Sequence, residues 1–289
     1  MSTRTQLLII DPQNDFCDLP EAYRPIDPVT QSPQAPALPV AGAHADMRRL
    51  ASFVDRARST LDEICITLDS HHRIDIAHPG FWCTGAGAVV NPFTSITADQ
   101  VRAGAFRPRD PAALPRALAY LDELDARGRY TLMVWPVHCE IGTWGHNVHA
   151  DLKAALSTWE DENLAIVQAV NKGENPWTEH YSAMQAEVPD DEDPHTQLNE
   201  ALIRQLDQAD LLLIGGEASS HCVKATTEHI VAHLPSGNAH KMVLLTDAMS
   251  PVGGFEAQHV AFLADMQARG VRLMRCEEAL NLLSQPTDA

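Results

Sequence analysis

The stretch Leu211-Leu212-Leu213-Ile214-Gly215-Gly216-Glu217-Ala218-Ser219-Ser220-His221-Cys222-Val223-Lys224-Ala225-Thr226-Thr227 runs from apolar residues into a glycine pair and a polar bend. Cys222 then heads a segment with helical spacing at Val223, Thr226, Thr227, Ile230 and Val231. That order reads as a buried strand, a tight turn and a helix. A thiol there sits among backbone N–H groups at the positive end of a helix dipole, which is expected to lower its pKa and to offer donors to an anion. Cys222 is therefore a candidate nucleophile, with core filler as the plain alternative.

Outward from this unit, strands and helices alternate. Thr5 to Ile10 is an apolar run ending at Asp11-Pro12-Gln13-Asn14-Asp15-Phe16, and Glu63 to Leu68 is a second run ending at Asp69-Ser70-His71-His72. A third strand is read from Leu164 to Val170, ending at Asn171-Lys172-Gly173; Met242 to Thr246 and Val271 to Met274 follow the Cys222 unit. Helices are predicted over residues 45–61, 111–124, 148–159, 196–206, 256–269 and 277–283, with a short strand at 132–135. The alternation predicts an α/β fold, a three-layer α/β/α arrangement around a six-stranded, mostly parallel sheet. Residues 1–289 are read as one domain with insertions at about 18–42 and 83–130, the first rich in proline and fit for an irregular surface excursion.

The charge balance, 21 basic against 39 acidic residues for a net −18, argues against nucleic acid and anionic membrane surfaces as partners. Apolar runs are strand-length, the amino terminus lacks a secretory layout, and six scattered cysteines form no CxxC pair. A cytoplasmic protein with free thiols is expected. The sequence leaves a homo-oligomer open.

Asp11, Asp69, Lys172 and Cys222 all follow predicted strand ends, where open α/β sheets bind ligands. A thiol becomes a good nucleophile when a base takes its proton and a cation steadies the thiolate, and an amide leaves only if its nitrogen is protonated. Asp11 is the candidate for both proton transfers and Lys172 for the cation. The backbone N–H groups of Ala218 and Cys222 are candidate oxyanion donors, worth about 2.7–4 kcal/mol each. Asp69-x-His71 and His138 supply a carboxylate and imidazoles suited to one divalent ion, Zn²⁺ first, with Fe²⁺ or Mn²⁺ also fitting.

Five stretches in order, Leu8-Ile-Ile-Asp11-Pro-Gln-Asn-Asp-Phe16, Asp69-Ser-His71, Trp135-Pro-Val-His138-Cys, Lys172-Gly173 and Gly216-Glu-Ala-Ser-Ser-His-Cys222-Val, resemble the isochorismatase-like cysteine hydrolases, and within them the metal-dependent nicotinamidases. The resemblance implies a Rossmann-like sheet, an Asp11–Lys172–Cys222 triad and a cis peptide at Glu217-Ala218. It also implies Phe16 and Trp135 about an aromatic substrate ring and a metal held by Asp69, His71 and His138, with His78 resembling a further ligand. The implied activity is hydrolysis of a small neutral amide, nicotinamide to nicotinate and ammonia, through a Cys222 thioester. A different small-amide or ureido hydrolase, or a non-catalytic metal-binding relative, are the alternatives. Glu217 and His221 depart from the pattern, standing where nicotinamidases usually carry apolar or otherwise different residues.

Overall fold

The computed structural model describes residues 3–284. In chain order its strands are β1 (Thr5–Ile10), β2 (Glu63–Asp69), β3 (Trp82–Thr84), β4 (Thr94–Ile96), β5 (Phe106–Pro108), β6 (Leu132–Val134), β7 (Gln168–Lys172), β8 (Leu211–Gly216), β9 (Met242–Leu245) and β10 (Arg272–Met274). Its helices are α1 (Ala43–Ala57), α2 (Ala98–Arg102), α3 (Leu114–Arg127), α4 (Ala150–Asn163), α5 (Glu200–Leu206), α6 (Cys222–His233), α7 (Glu256–Ala268) and α8 (Cys276–Leu283).

Six strands form one sheet in the order β10-β9-β8-β1-β2-β7, and every neighbouring pair is parallel. The apolar runs explain its centre. Leu7 to Ile10 and Leu212 to Ile214 are fully buried, as strands covered on both faces must be. Each such side chain withdrawn from water contributes about 1.5–3 kcal/mol, so β1 and β8 anchor the sheet. Helices α4 and α8 pack on α1, and α6 packs on α7, which gives helical layers about the sheet. α1 presents Met47, Leu50, Ala51, Val54 and Ala57 inward, at the spacing of one helical face.

The chain order reverses at β1. From β1 the sheet grows one way through β2 to β7 and the other way through β8 to β10. Such a switch point opens a crevice at the carboxyl ends of the central strands. β8 can turn there only because Gly216, at φ +120°, carries no Cβ: one would stand 2.0 Å from the Ile10 carbonyl oxygen.

Two local readings need correction. The third strand begins at Gln168, not Leu164: α4 runs on to Asn163, Leu164 caps it in the left-handed region, and Leu164 and Ile166 are 93% and 85% exposed. Their hydrophobicity mimicked strand pattern without any core to face. The helix expected from Thr196 starts at Glu200, because Asn199 caps it by accepting a bond from the Leu202 N–H, and a separate 3₁₀ turn occupies Pro194–Thr196.

Residues 18–42 are irregular, holding one 3₁₀ turn and isolated bridges such as Cys17 to Val40. Residues 83–130 carry α2, α3, β4 and β5; β5 pairs with β3 at the start of the segment and β4 with β6 just after it, both outside the main sheet. Among the described residues no helix is long and apolar enough to cross a membrane.

Candidate active site

Four adjacent strands, β8, β1, β2 and β7, deliver the polar residues to one edge of the sheet. Asp11 follows β1, Asp69 ends β2, Lys172 ends β7 as its register partner, and Cys222 opens α6 after the β8 turn. Lys172 Nζ lies 3.0 Å from Asp11 Oδ2, 2.8 Å from Asp69 Oδ1 and 3.5 Å from Cys222 Sγ, and it is 2% exposed. Asp11 sits at φ +44°, a backbone position few non-glycine residues adopt, and it is held there by its N–H donating to Thr67 Oγ1 and by the Thr67 hydroxyl donating back. Thr67 Oγ1 donates to its Oδ1 at 2.6 Å. Its Oδ2 has the Lys172 ammonium at 3.0 Å and, with Oδ1 taken by Thr67, is the oxygen left to accept a proton.

The charges sort themselves by neighbour. Burial lowers the pKa of Lys172, but Asp11 and Asp69 outweigh it and hold the ammonium well above its ordinary value. Burial raises Asp69, yet His71 and Lys172 keep its carboxyl well below the usual carboxylate range. Asp11, where burial wins over Lys172, is raised. The Cys222 thiol corrects the sequence expectation. Burial pushes it well above its ordinary value, Lys172 opposes this, and the negative charges of Asp11 and Asp69 push it further. A helix terminus lowers a thiol pKa where water still solvates the sulfur; here the sulfur is shut in beside two carboxyl groups.

The peptide Glu217-Ala218 is cis. The N–H groups of Ala218 and Cys222 make no hydrogen bond among the described residues, the condition an oxyanion pair requires.

On the other side of Asp69, the ring nitrogens of His71, His78 and His138 gather within 4.8 Å of one another, all buried. Asp69 Oδ2 lies 3.1 Å from His71 Nε2 and 3.3 Å from His138 Nε2. Asp75 contacts His71 Nδ1 at 3.1 Å, the His72 carbonyl His78 Nδ1 at 3.2 Å, and the Pro136 carbonyl His138 Nδ1 at 2.8 Å. A metal-ligating imidazole is fixed in this way, its outer nitrogen held so that the inner one faces the ion. Burial, with His138 and His71, presses the His78 pKa to about 2, so it stays a neutral donor. The donor set therefore fits a divalent ion.

Cys222 faces a cavity of about 20 Å³ lined by Phe16, Trp135, Tyr181, His221, Leu38 and Val252, with Asp69 and His138 at its polar end. Phe16 meets His138 edge-on at 5.4 Å, and His221 packs at 5.2 Å from Trp135 and 4.6 Å from Phe255. Burial lowers His221 to about 4, so it is neutral and packs with the aromatic rings. A far larger cavity, about 910 Å³, runs along the outer edge of β7 and touches Lys172 and Gly173 from behind, but it does not reach Cys222 or Asp11. Volume and chemistry part company here, and the site lies with the chemistry.

Sequence reasoning missed three participants. Thr67 is an unremarked mid-strand residue, and Asp75 reads as a loop acid. Glu179, in an irregular segment, puts a buried carboxyl on the cavity wall with Oε2 unpartnered and its pKa raised by burial.

No family profile and no curated protein sequence matches the chain. Solved structures do. A nicotinamidase/pyrazinamidase from Acinetobacter baumanii is 18% identical with a TM-score of 0.59, over 96% of this chain and 98% of that one. The yeast nicotinamidase bound to the inhibitor nicotinaldehyde is 18% identical with a TM-score of 0.61, over 94% and 99%. A Pyrococcus horikoshii pyrazinamidase in complex with zinc is 17% identical with a TM-score of 0.54, over 94% and 99%. The chain has the isochorismatase-like fold in the form these enzymes share.

Proposed function

We propose that this protein is a metal-dependent cysteine amidohydrolase of the nicotinamidase type, turning nicotinamide and water into nicotinate and ammonia through a thioester on Cys222. The observation that carries this reading is one ammonium, Lys172 Nζ, within 3.5 Å of the Cys222 sulfur, the Asp11 carboxylate and the Asp69 carboxylate together. The fold shared with nicotinamidases supports it, as does a ligand set like that expected of a zinc site.

The chemistry follows from the residues. Asp11 takes the thiol proton through Oδ2, the oxygen beside Lys172, while Sγ bonds to the amide carbon and the carbonyl electron pair moves to oxygen, which the N–H groups of Ala218 and Cys222 receive. Asp11 then gives that proton to the amide nitrogen, the C–N bond breaks and ammonia leaves. A water attacks the thioester with Asp11 again as base, and the thiolate departs toward Lys172 and recovers its proton. Lys172 keeps Asp11 in reach of the sulfur and balances charge as it moves. A divalent ion held by Asp69, His71, His78 and His138 would supply a Lewis acid for a ring nitrogen and a more acidic water. A neutral amide also suits a site in which the ammonium beside the thiol, Lys172, is already tied to two carboxylates.

The small volume beside Cys222 favours a second reading, a small aliphatic amide or ureido compound as substrate. Mass spectrometry of a nicotinamide reaction quenched early decides between them. A nicotinoyl adduct on Cys222, absent from Cys222→Ala, is the expected result. Ammonia released from maleamate or ureido compounds but not nicotinamide transfers the site to the second reading, and no acyl adduct with any of these amides ends both.

A further inference from the structure

Glu217 is completely buried, yet it is a carboxyl group with one oxygen, Oε1, that no donor reaches among the described residues. Its other oxygen accepts from the Ser250 N–H at 3.1 Å. The same serine donates its hydroxyl to Asp46 Oδ2 at 2.5 Å, so two carboxyl groups bracket one residue. Asp46, 4% exposed in the first turn of α1, has its own cation: Arg49 Nη1 at 2.6 Å, a guanidinium that also donates to the Asp247 carbonyl. Asp18 adds a further negative charge near Glu217, the buried Cys17 thiol faces it as a neutral group, and among the described residues no cation makes a hydrogen bond or ion pair with Glu217. A buried carboxylate in that position would be unpaired and facing another carboxylate, an arrangement that resolves by keeping a proton.

We propose that Glu217 and Asp46 share a single proton, and that this proton is a clamp fastening the Gly216–Ser220 turn to α1 and to the loop after β9. The turn is already tied to that loop on both sides, by the Ser219 N–H to the Ser250 carbonyl at 2.9 Å and by the Val252 N–H to Ser220 Oγ at 3.1 Å. The Gly216 N–H also holds the Ala248 carbonyl at 2.9 Å, so the bond from the Ser250 N–H to Glu217 is a fourth tie to that loop, and the Glu217 carboxyl also meets Asp46 of α1. The Glu217 backbone N–H holds the Ile10 carbonyl at 2.8 Å, next to Asp11. Glu217 is thus a positioning residue: its side chain touches neither the thiol nor the cavity, but it fixes the backbone that carries the Ala218 N–H and leads into Cys222. Burial, with Asp46 beside it, pushes the Glu217 pKa well above the usual carboxylate range, which agrees with a proton held at neutral pH. Loss of that proton places two buried negative charges in contact, with Asp18 nearby, and the turn relieves them by moving away from α1.

The effect on turnover rests on Cys222 being the nucleophile, whereas the proton itself is tested without any substrate. Infrared difference spectra of wild type against Glu217→Gln at neutral pH are expected to show one buried carboxylic-acid C=O band present in wild type and missing from the variant. Cys222 alkylation by iodoacetamide is expected to show a step at alkaline pH, beyond the ordinary thiol titration, that the glutamine, a permanent donor, removes. Glu217→Ala is expected to lower kcat on the order of 10²-fold with little change in KM, as misplacement of a reacting group does, and Glu217→Gln to restore it. No difference band, or an alkylation profile identical in wild type and Glu217→Gln, overturns the clamp. An inactive wild type that still shows the band and the step would remove the amidohydrolase reading and leave the clamp standing.

Discussion

Asp69 and Lys172 face each other as register partners on β2 and β7, and the lysine ammonium lies 2.8 Å from the aspartate Oδ1. That contact is shorter than the one from Lys172 to Asp11, at 3.0 Å. The second oxygen of Asp69 belongs to the imidazole side, so one carboxylate serves both the cation beside the thiol and the candidate metal centre. Asp69→Asn is expected to damage both at once, weakening metal binding by about 10–100-fold and also freeing Lys172 to bind Asp11 alone. His78→Ala is expected to affect the metal only. Metal content by plasma mass spectrometry, measured with kcat/KM, checks the difference: Asp69→Asn retaining wild-type kcat/KM would show that the two halves work independently.

Asp11 must be ionised to accept the Cys222 proton, and burial raises its pKa. Turnover is therefore expected to fall as pH drops through that raised value, well before an ordinary surface aspartate titrates. In Asp11→Asn this acid limb disappears together with about 10²–10⁴-fold of the rate, the usual worth of a positioned general base. A pH profile of kcat/KM for the two proteins, with folding verified by circular dichroism, is the measurement; an unchanged acid limb in the variant assigns it to another group.

The sheet was legible because its strands are short apolar runs ending at Asp11, Asp69 and Gly216, and period and punctuation alone place those. The register that makes Asp69 and Lys172 partners was not, since nothing local to β7 names β2 as its neighbour. Leu164 and Ile166 misled for a related reason: an exposed apolar residue and a buried one read alike until the rest of the fold is known. The thiol environment of Cys222 failed at the same level. Its place at the head of α6 follows from the chain, but its enclosure by Leu38 and Val252 and the nearby charge of Asp69 come from segments far away. Thr67, Asp75 and Glu179 were silent because support for a site depends on which way a side chain turns.

Leu38 comes from the irregular excursion at 18–42 and lines the cavity over Cys222. Asp15 ties that excursion to the site, accepting from the Ala37 N–H at 2.9 Å and the Cys139 N–H at 2.7 Å. A cavity of about 20 Å³ holds roughly one water, so any ring-sized ligand must displace this wall. Leu38→Ala is expected to speed iodoacetamide alkylation of Cys222 severalfold while leaving the buried Cys65 unreactive. Peptide mapping of the two sites gives the rates, and an unchanged Cys222 rate would mean that access is controlled from the Val252 side.

Glu187 offers a stability test independent of any activity. It is 3% exposed, its nearest cation is Arg129 Nη1 at 3.6 Å, and Oε1 has no partner among the described residues. Burial, opposed by Arg129, carries its pKa from 4.5 to about 7. The folded chain thus holds this proton more tightly than the unfolded chain, so the contribution is fully present below about pH 4.5 and is lost as pH rises to about 7. The whole loss is on the order of 3 kcal/mol at 1.36 kcal/mol per pH unit. Glu187→Gln carries no titrating proton there, so its stability relative to wild type is expected to climb between pH 5 and 8 and then level off. Guanidinium denaturation of both proteins across that range measures it, and parallel curves would mean that Arg129 closes on Glu187 and keeps the carboxylate ionised.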